Sequence, residues 1–258
     1  MWIDGHVHLT RPVTRLLDEM QRWGISRAVV CSSTVARGEE ISTLEDALTL
    51  QETLSGAHLQ QSPLSVRKIN EQFADDIRPY GDRLLGMGKI DLRAGNLEEQ
   101  MNDVVALNFY GVGEVLGVHQ NVQAMEPVFS YSQTHGNLPV FVHCDSPVDG
   151  DDLRALIELA ASYPGSKLIV GHLGGEHWIE AIQLAREVPG CRLDISEVSN
   201  TIPIRVACRE IPEKLLFGSD YPWDSPAVNR QRLNGLNLEP DILEAILGGN
   251  LLAFYELE

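Results

Sequence analysis

Eight short apolar runs, at residues 2–8, 27–32, 84–91, 111–116, 139–143, 167–172, 192–196 and 215–220, recur along the chain with stretches of helical length between them. A strand that is apolar nearly throughout has to be covered on both faces, and a helix between successive strands is the connection that lets them lie parallel. The segments at 97–107, 126–135, 151–162, 178–188 and 202–210, like the earlier one at 13–23, space their apolar residues at helical period. Eight β/α units in 258 residues predict an α/β protein of the (β/α)8 TIM-barrel type, which commonly runs to about 250 residues. Residues 1–258 read as one domain without repeats or linkers. The spacing breaks only at residues 34–63, a polar stretch that carries His58 and is longer than an ordinary βα connection. It reads as an insertion after strand two, either a lid over a site or a plain helical addition.

A barrel of this kind gathers its chemistry at the C-terminal ends of its strands. The polar residues at those ends are His6 and His8 on strand one, Glu114 on four, His143 on five, His172 on six and Asp220 on eight. The other four histidines, His58, His119, His135 and His177, fall in helices and loops. His6 and His8 stand at i and i+2 of a strand, so their rings share a face roughly 6.5–7 Å apart, within reach of one ion. Four histidines and two carboxylates converging on one mouth predict a divalent-metal site.

Composition narrows the partners. With 20 Lys and Arg against 37 Asp and Glu the net charge is −17, which argues against a protein built to hold nucleic acid or an anionic membrane. Cys31, Cys144, Cys191 and Cys208 show no CxxC pairing and sit in or beside apolar runs, as reduced thiols do. No secretory signal opens the chain and no run of 18 apolar residues occurs, so a cytoplasmic location is expected, with a small-molecule substrate and a homodimer as the expected assembly.

The chain resembles the amidohydrolase superfamily, in its amidohydrolase-related branch, which also contains decarboxylases. The motifs that carry the resemblance are IDGHVHL at 3–9, PVFVHC at 139–144, LIVGHLGGEHW at 168–178, LLFGSDYPW at 215–223 and GNLLAFYEL at 249–257. The resemblance implies that His6, His8, His143 and Asp220 are divalent-metal ligands, with zinc expected and manganese as the alternative. It implies that Asp220 also takes a proton from the metal's water. His172 matches either a ligand of a second metal or a histidine that hydrogen-bonds that water and polarises the substrate. Glu114, in YGVGEVLGVH at 110–119, departs from the pattern: other members carry a carbamylated lysine there, or no ligand. It is similar to the strand-four glutamate of TatD-type nucleases. A carboxylate in this place either bridges two ions about 3.5–4 Å apart or orients a histidine or water beside a single one.

The activity this implies is hydrolysis of an amide, lactone or ester in a small molecule by a metal-activated water. The alternative is metal-dependent decarboxylation, and a further one is a TatD-like nuclease or phosphoesterase, which the net charge disfavours. A barrel that keeps metal for structure alone would have a closed site rather than one at an open mouth. Lesser expectations attach to Asp4 as an anchor of strand one or a partner of the site, and to Arg11, Lys89 and Arg93 as either solvated cations or anion binders. Cys144 should face the layer between barrel and helices, and Trp178 and Trp223 either wall the pocket or simply pack.

Overall fold

All eight expected strands form in the computed structural model, which describes residues 1–32, 41–57 and 63–258. They are β1 (Ile3–His8), β2 (Arg27–Cys31), β3 (Leu84–Gly88), β4 (Gly111–Val115), β5 (Val140–Val142), β6 (Leu168–Val170), β7 (Cys191–Asp194) and β8 (Leu215–Leu216). Each pairs in parallel with the next, in sequence order. The barrel closes where Gly5 donates to the Phe217 carbonyl and His8 to that of Tyr221, both at 2.7 Å. Gly5 is required there: a Cβ would lie 2.8 Å from the Phe217 oxygen and 2.9 Å from Leu251. The fold is a (β/α)8 TIM barrel.

Strand eight is shorter than its apolar run suggests. The amide of Phe217 leaves the sheet to donate to Ile246, and those of Ser219 and Asp220 turn to the His6 carbonyl, at 3.2 and 2.8 Å. Those last residues thus serve barrel closure and carry Asp220 across the mouth toward β1. β5 and β6 likewise stop short, leaving His143 and His172 in the loops just beyond them.

The helices between strands are α1 (Thr14–Trp23), α2 (Leu44–Ala57), α3 (Pro63–Ile77), α4 (Leu97–Ala106), α5 (Glu126–Thr134), α6 (Gly150–Ala161), α7 (Trp178–Glu187) and α8 (Thr201–Glu210). Three more follow β8: α9 (Pro226–Asn234), α10 (Pro240–Glu244) and α11 (Asn250–Tyr255). Of the insertion expected at 34–63, α2 is helical. The rest of it, His58 included, lies outside the described residues apart from residues 41–43 and Pro63, and with it the lid reading.

Two apolar layers hold the molecule together. Inside the barrel Ile3, Val29, Cys31, Leu85, Met87, Phe141, Ile169 and Leu216 meet, and Leu251, Phe254 and Tyr255 join them from α11. The C-terminal helix therefore plugs the end of the barrel away from the strand C-termini, and burial of its aromatic rings is what fixes it there. The larger layer lies between strands and helices, and Cys144 belongs to it, as strand alternation predicts. All four cysteines are buried and free. Among the described residues no helix is long and apolar enough to cross a membrane.

Candidate active site

The six side chains singled out by their strand-end positions meet at one mouth. His8 Nε2 lies 3.0 Å and His6 Nε2 3.3 Å from Asp220 Oδ1. The same two nitrogens each lie 3.6 Å from Glu114 Oε2. The other oxygen of Glu114 turns away, to His143 Nδ1 at 2.9 Å and His172 Nε2 at 3.2 Å, and these two nitrogens are 3.0 Å apart. One carboxylate thus faces two groups of nitrogen donors, one through each oxygen. Phe141 closes the floor, its ring edge-on to His6 with 4.5 Å between centroids.

Local backbone explains how loops deliver these groups. His172 and Asp220 both adopt left-handed conformations, with φ of 53° and 56°, which side chains other than glycine rarely hold outside over-determined places. At Asp220 the restraint is visible in its amide's bond to His6. Asp4, expected as an anchor or a partner of the site, is an anchor: its Oδ1 accepts from the amides of Ser219 at 2.9 Å and His6 at 3.3 Å, tying β1 to the segment after β8. Burial, only partly offset by these bonds, pushes its carboxyl up to about 7.

Strand-end reading missed Asp194, Ser196 and Glu197. Fully buried Asp194 accepts from the Ser196 hydroxyl and from the His172 amide (3.3 Å), and its Oδ2 is 3.2 Å from His6 Nδ1. The Ser196 oxygen is also 3.2 Å from His6 Nδ1 and 3.1 Å from His172 Nδ1. Both rings are held from behind, which leaves their Nε2 atoms aimed into the mouth, the arrangement that orients metal-ligating histidines. The signal was present: Asp194 and Ser196 are polar residues at the end of the seventh apolar run, residues 192–196. Glu197 carries no such signal, because a left-handed turn (φ 52°) brings its carboxylate back to within 4.8 Å of donor atoms of His172 and Asp220.

Electrostatics bind the cluster together. Burial disfavours charge on His6, yet the Asp220 and Glu114 carboxylates more than offset it and hold the ring well above the usual histidine range. Burial acts the same way on His172, and its bond to Glu114 raises it to about 9. Burial works against ionised Glu114 and Asp220, but His143 and His6 hold the first well below the ordinary range, and His6 and His8 lower the second.

These residues suit a divalent cation. His6 Nε2 and Asp220 Oδ1 are buried without a hydrogen-bond partner although they face each other. Ligands about 2.0–2.2 Å from a common ion stand roughly 3–3.5 Å apart, close to the spacings within each donor group. His6, His8 and Asp220, with Glu114 Oε2, would hold one cation, and Glu114 Oε1, His143 and His172 would hold a second. Nitrogen must lose its proton to ligate, so a cation competes with the protons that the carboxylates keep on His6 and His172. Manganese affinity, measured by calorimetry at pH 6, 7 and 8, is therefore expected to rise with each step and to release protons on binding. Affinity that stays level across that range would contradict the ligand set.

Of the cations near the mouth, Arg11 is paired with Asp76 (2.9 Å) and Arg93 with Asp91 (3.4 Å). Trp178 is partly buried against the layer between strands and helices. His119, in the connection after β4, bonds Asp152 at 2.6 Å, and Asp152 with Asp149 forms the capping box of α6.

A family model described as amidohydrolase matches residues 3–257. Among solved structures, 5-carboxyvanillate decarboxylase from Sphingomonas paucimobilis is 16% identical, with 100% of this chain and 99% of that one covered and a TM-score of 0.67. A dihydroxybenzoic acid decarboxylase from Polaromonas sp. JS666, with bound manganese and the inhibitor 2-nitroresorcinol, is 16% identical over 99% of this chain and 96% of that one (TM-score 0.70). A probable 2-pyrone-4,6-dicarboxylic acid hydrolase from Acinetobacter baumannii, with citric acid bound, is 14% identical over 99% of both chains (TM-score 0.69). At these identities the likeness is one of fold. No curated protein matches the chain in sequence.

Proposed function

We propose, on the premise that this chain belongs to the amidohydrolase family, that it is a divalent-metal-dependent enzyme that removes a carboxyl group from a small organic acid. The observation that carries its metal dependence is the buried, unpartnered Oδ1 of Asp220 set against His6 and His8 Nε2. The motifs alone favour hydrolysis over decarboxylation. The order is reversed here because decarboxylases recur among the structures that share this fold from end to end, one with manganese bound. Manganese therefore stands beside zinc as the ion to supply.

A divalent cation, when bound, supplies Lewis acidity at this mouth. The chain's own residues do the rest. Decarboxylation without redox change replaces the departing carbon dioxide by a proton (R–COO⁻ + H⁺ → R–H + CO2). On this reading Asp220 holds that proton, which is supported by its oxygen facing the donor cluster and its backbone bond to His6. His172, braced by Ser196 and Asp194, presents a fixed ring to the substrate. Phe141 keeps the floor dry.

Hydrolysis is the second reading, and Glu114 favours it. A carboxylate that faces two donor groups suits a pair of cations, which helps most when an attacking and a leaving oxygen must both be clamped. Assays on protein loaded with manganese or zinc, and on chelated protein, separate the two. Hydroxylated aromatic carboxylates are expected to release carbon dioxide only with metal present. Acid release from lactones without carbon dioxide from any carboxylate would transfer the assignment to hydrolysis, and neither product would contradict both.

A further inference from the structure

Lys89 follows β3 directly. Leu85 and Met87 of that strand face the barrel interior, and alternation along an extended chain puts Lys89 on the same side, one step above Met87 toward the mouth. Its backbone is pinned there by Asn70, a fully buried side chain of α3. Asn70 Nδ2 donates to the Lys89 carbonyl at 2.9 Å, and its Oδ1 accepts from the Lys89 amide at 2.8 Å.

Burial pushes the ammonium of Lys89 below the usual lysine range, and the charges of Asp91 and Glu114 only partly restore it. Neither carboxylate makes a hydrogen bond or ion pair with it. Asp91 Oδ1 accepts from the Arg93 amide at 2.9 Å and is held by its guanidinium, while Glu114 faces histidines through both oxygens. Among the described residues no hydrogen bond or ion pair reaches the Lys89 ammonium, whereas Arg11 and Arg93 both have acidic partners. A partly buried cation that no carboxylate contacts directly, held by a fixed backbone beside the donor cluster, is a poor structural feature and a good receptor for an anion.

We propose that Lys89 is a specificity-determining residue that receives a carboxylate of the substrate other than the one that reacts. The substrate class is then a small molecule with two anionic groups, one directed to the metal donors and one to β3. This rests on the reading of the mouth as the substrate site. A lysine that merely covered the barrel core with its methylenes would make no distinction between anions and neutral ligands.

The test is calorimetric binding of isophthalate, homophthalate and glutarate, with benzoate as the single-charge control, to zinc-loaded wild type, Lys89→Met and Lys89→Arg. Charge-assisted bonds of this kind lead to an expected loss of about tenfold or more in Lys89→Met for at least one dicarboxylate, with Lys89→Arg recovering most of it. Benzoate affinity and zinc content should hardly change. Equal affinity of wild type and Lys89→Met for all three dicarboxylates, or no binding of any of them to wild type, would overturn the proposal. Failure of the metal-dependent reading would show separately, as affinities that are indifferent to chelation.

Discussion

Asp220→Asn protein is expected to fold, to retain most of its thermal stability and to lose about 10²–10⁴ in turnover, the usual contribution of a positioned proton carrier. The substitution is a fair one because residue 220 holds a left-handed backbone, and asparagine is among the few residues that accept that conformation. Its side chain keeps the shape and loses the negative charge, and with it the ability to take a proton, which is why metal content is checked before turnover is compared. The hydrogen bond that the backbone N–H of residue 220 donates to the His6 carbonyl is untouched, so loop and strand should stay in register. Steady-state kinetics with the metal-loaded variant, beside circular dichroism of its melting, checks both halves. Turnover within a few-fold of wild type would remove Asp220 from the proton's path.

Asp194→Ala should be the most damaging change to the site that replaces none of its proposed ligands. The carboxylate it deletes accepts from the Ser196 hydroxyl and the His172 amide and lies against His6 Nδ1, all at full burial. Stripping one member from a buried polar network leaves the others without partners, at a cost of about 3–5 kcal/mol. The two histidines would also lose the brace that aims them, and such supporting partners are typically worth about 10–100-fold in metal affinity. Gly218 shows how closely the network is fitted: a Cβ there would lie 2.8 Å from that of His6 and collide with Asp194. Denaturant melts and manganese titrations of Asp194→Ala test the two effects together, and wild-type values in both would reduce Asp194 to a bystander.

What could be read from the residues, and what could not, divides along physical lines. His6 and His8 were legible because the two-residue period of a strand places alternate side chains on one face. His143 and His172 were legible although they stand just past their strands, because the C-terminal rims of a barrel converge whichever side of the last ladder bond a residue falls on. Glu197 was hidden by a single left-handed residue, a backbone turn that no side-chain pattern announces. Lys89 could be seen near the mouth, but whether it had a partner depended on how Asp91 and Glu114 spend their oxygens, which spacing does not reveal. The same holds for Arg11, whose partner Asp76 lies 65 positions along the chain. The short strand eight follows from closure, since the last residues of its run bond to β1 and to the Ile246 carbonyl rather than to β7.

Every chemical role proposed for this mouth requires that its histidines and carboxylates hold a divalent cation. Elemental mass spectrometry of protein purified without chelators and then loaded with manganese or zinc tests it directly, with the His6→Ala/His8→Ala double variant measured alongside. At least one tightly held ion per wild-type chain is expected, with that ion lost from the double variant. A wild-type chain that remains metal-free after loading, or a double variant that keeps its full complement, would contradict it.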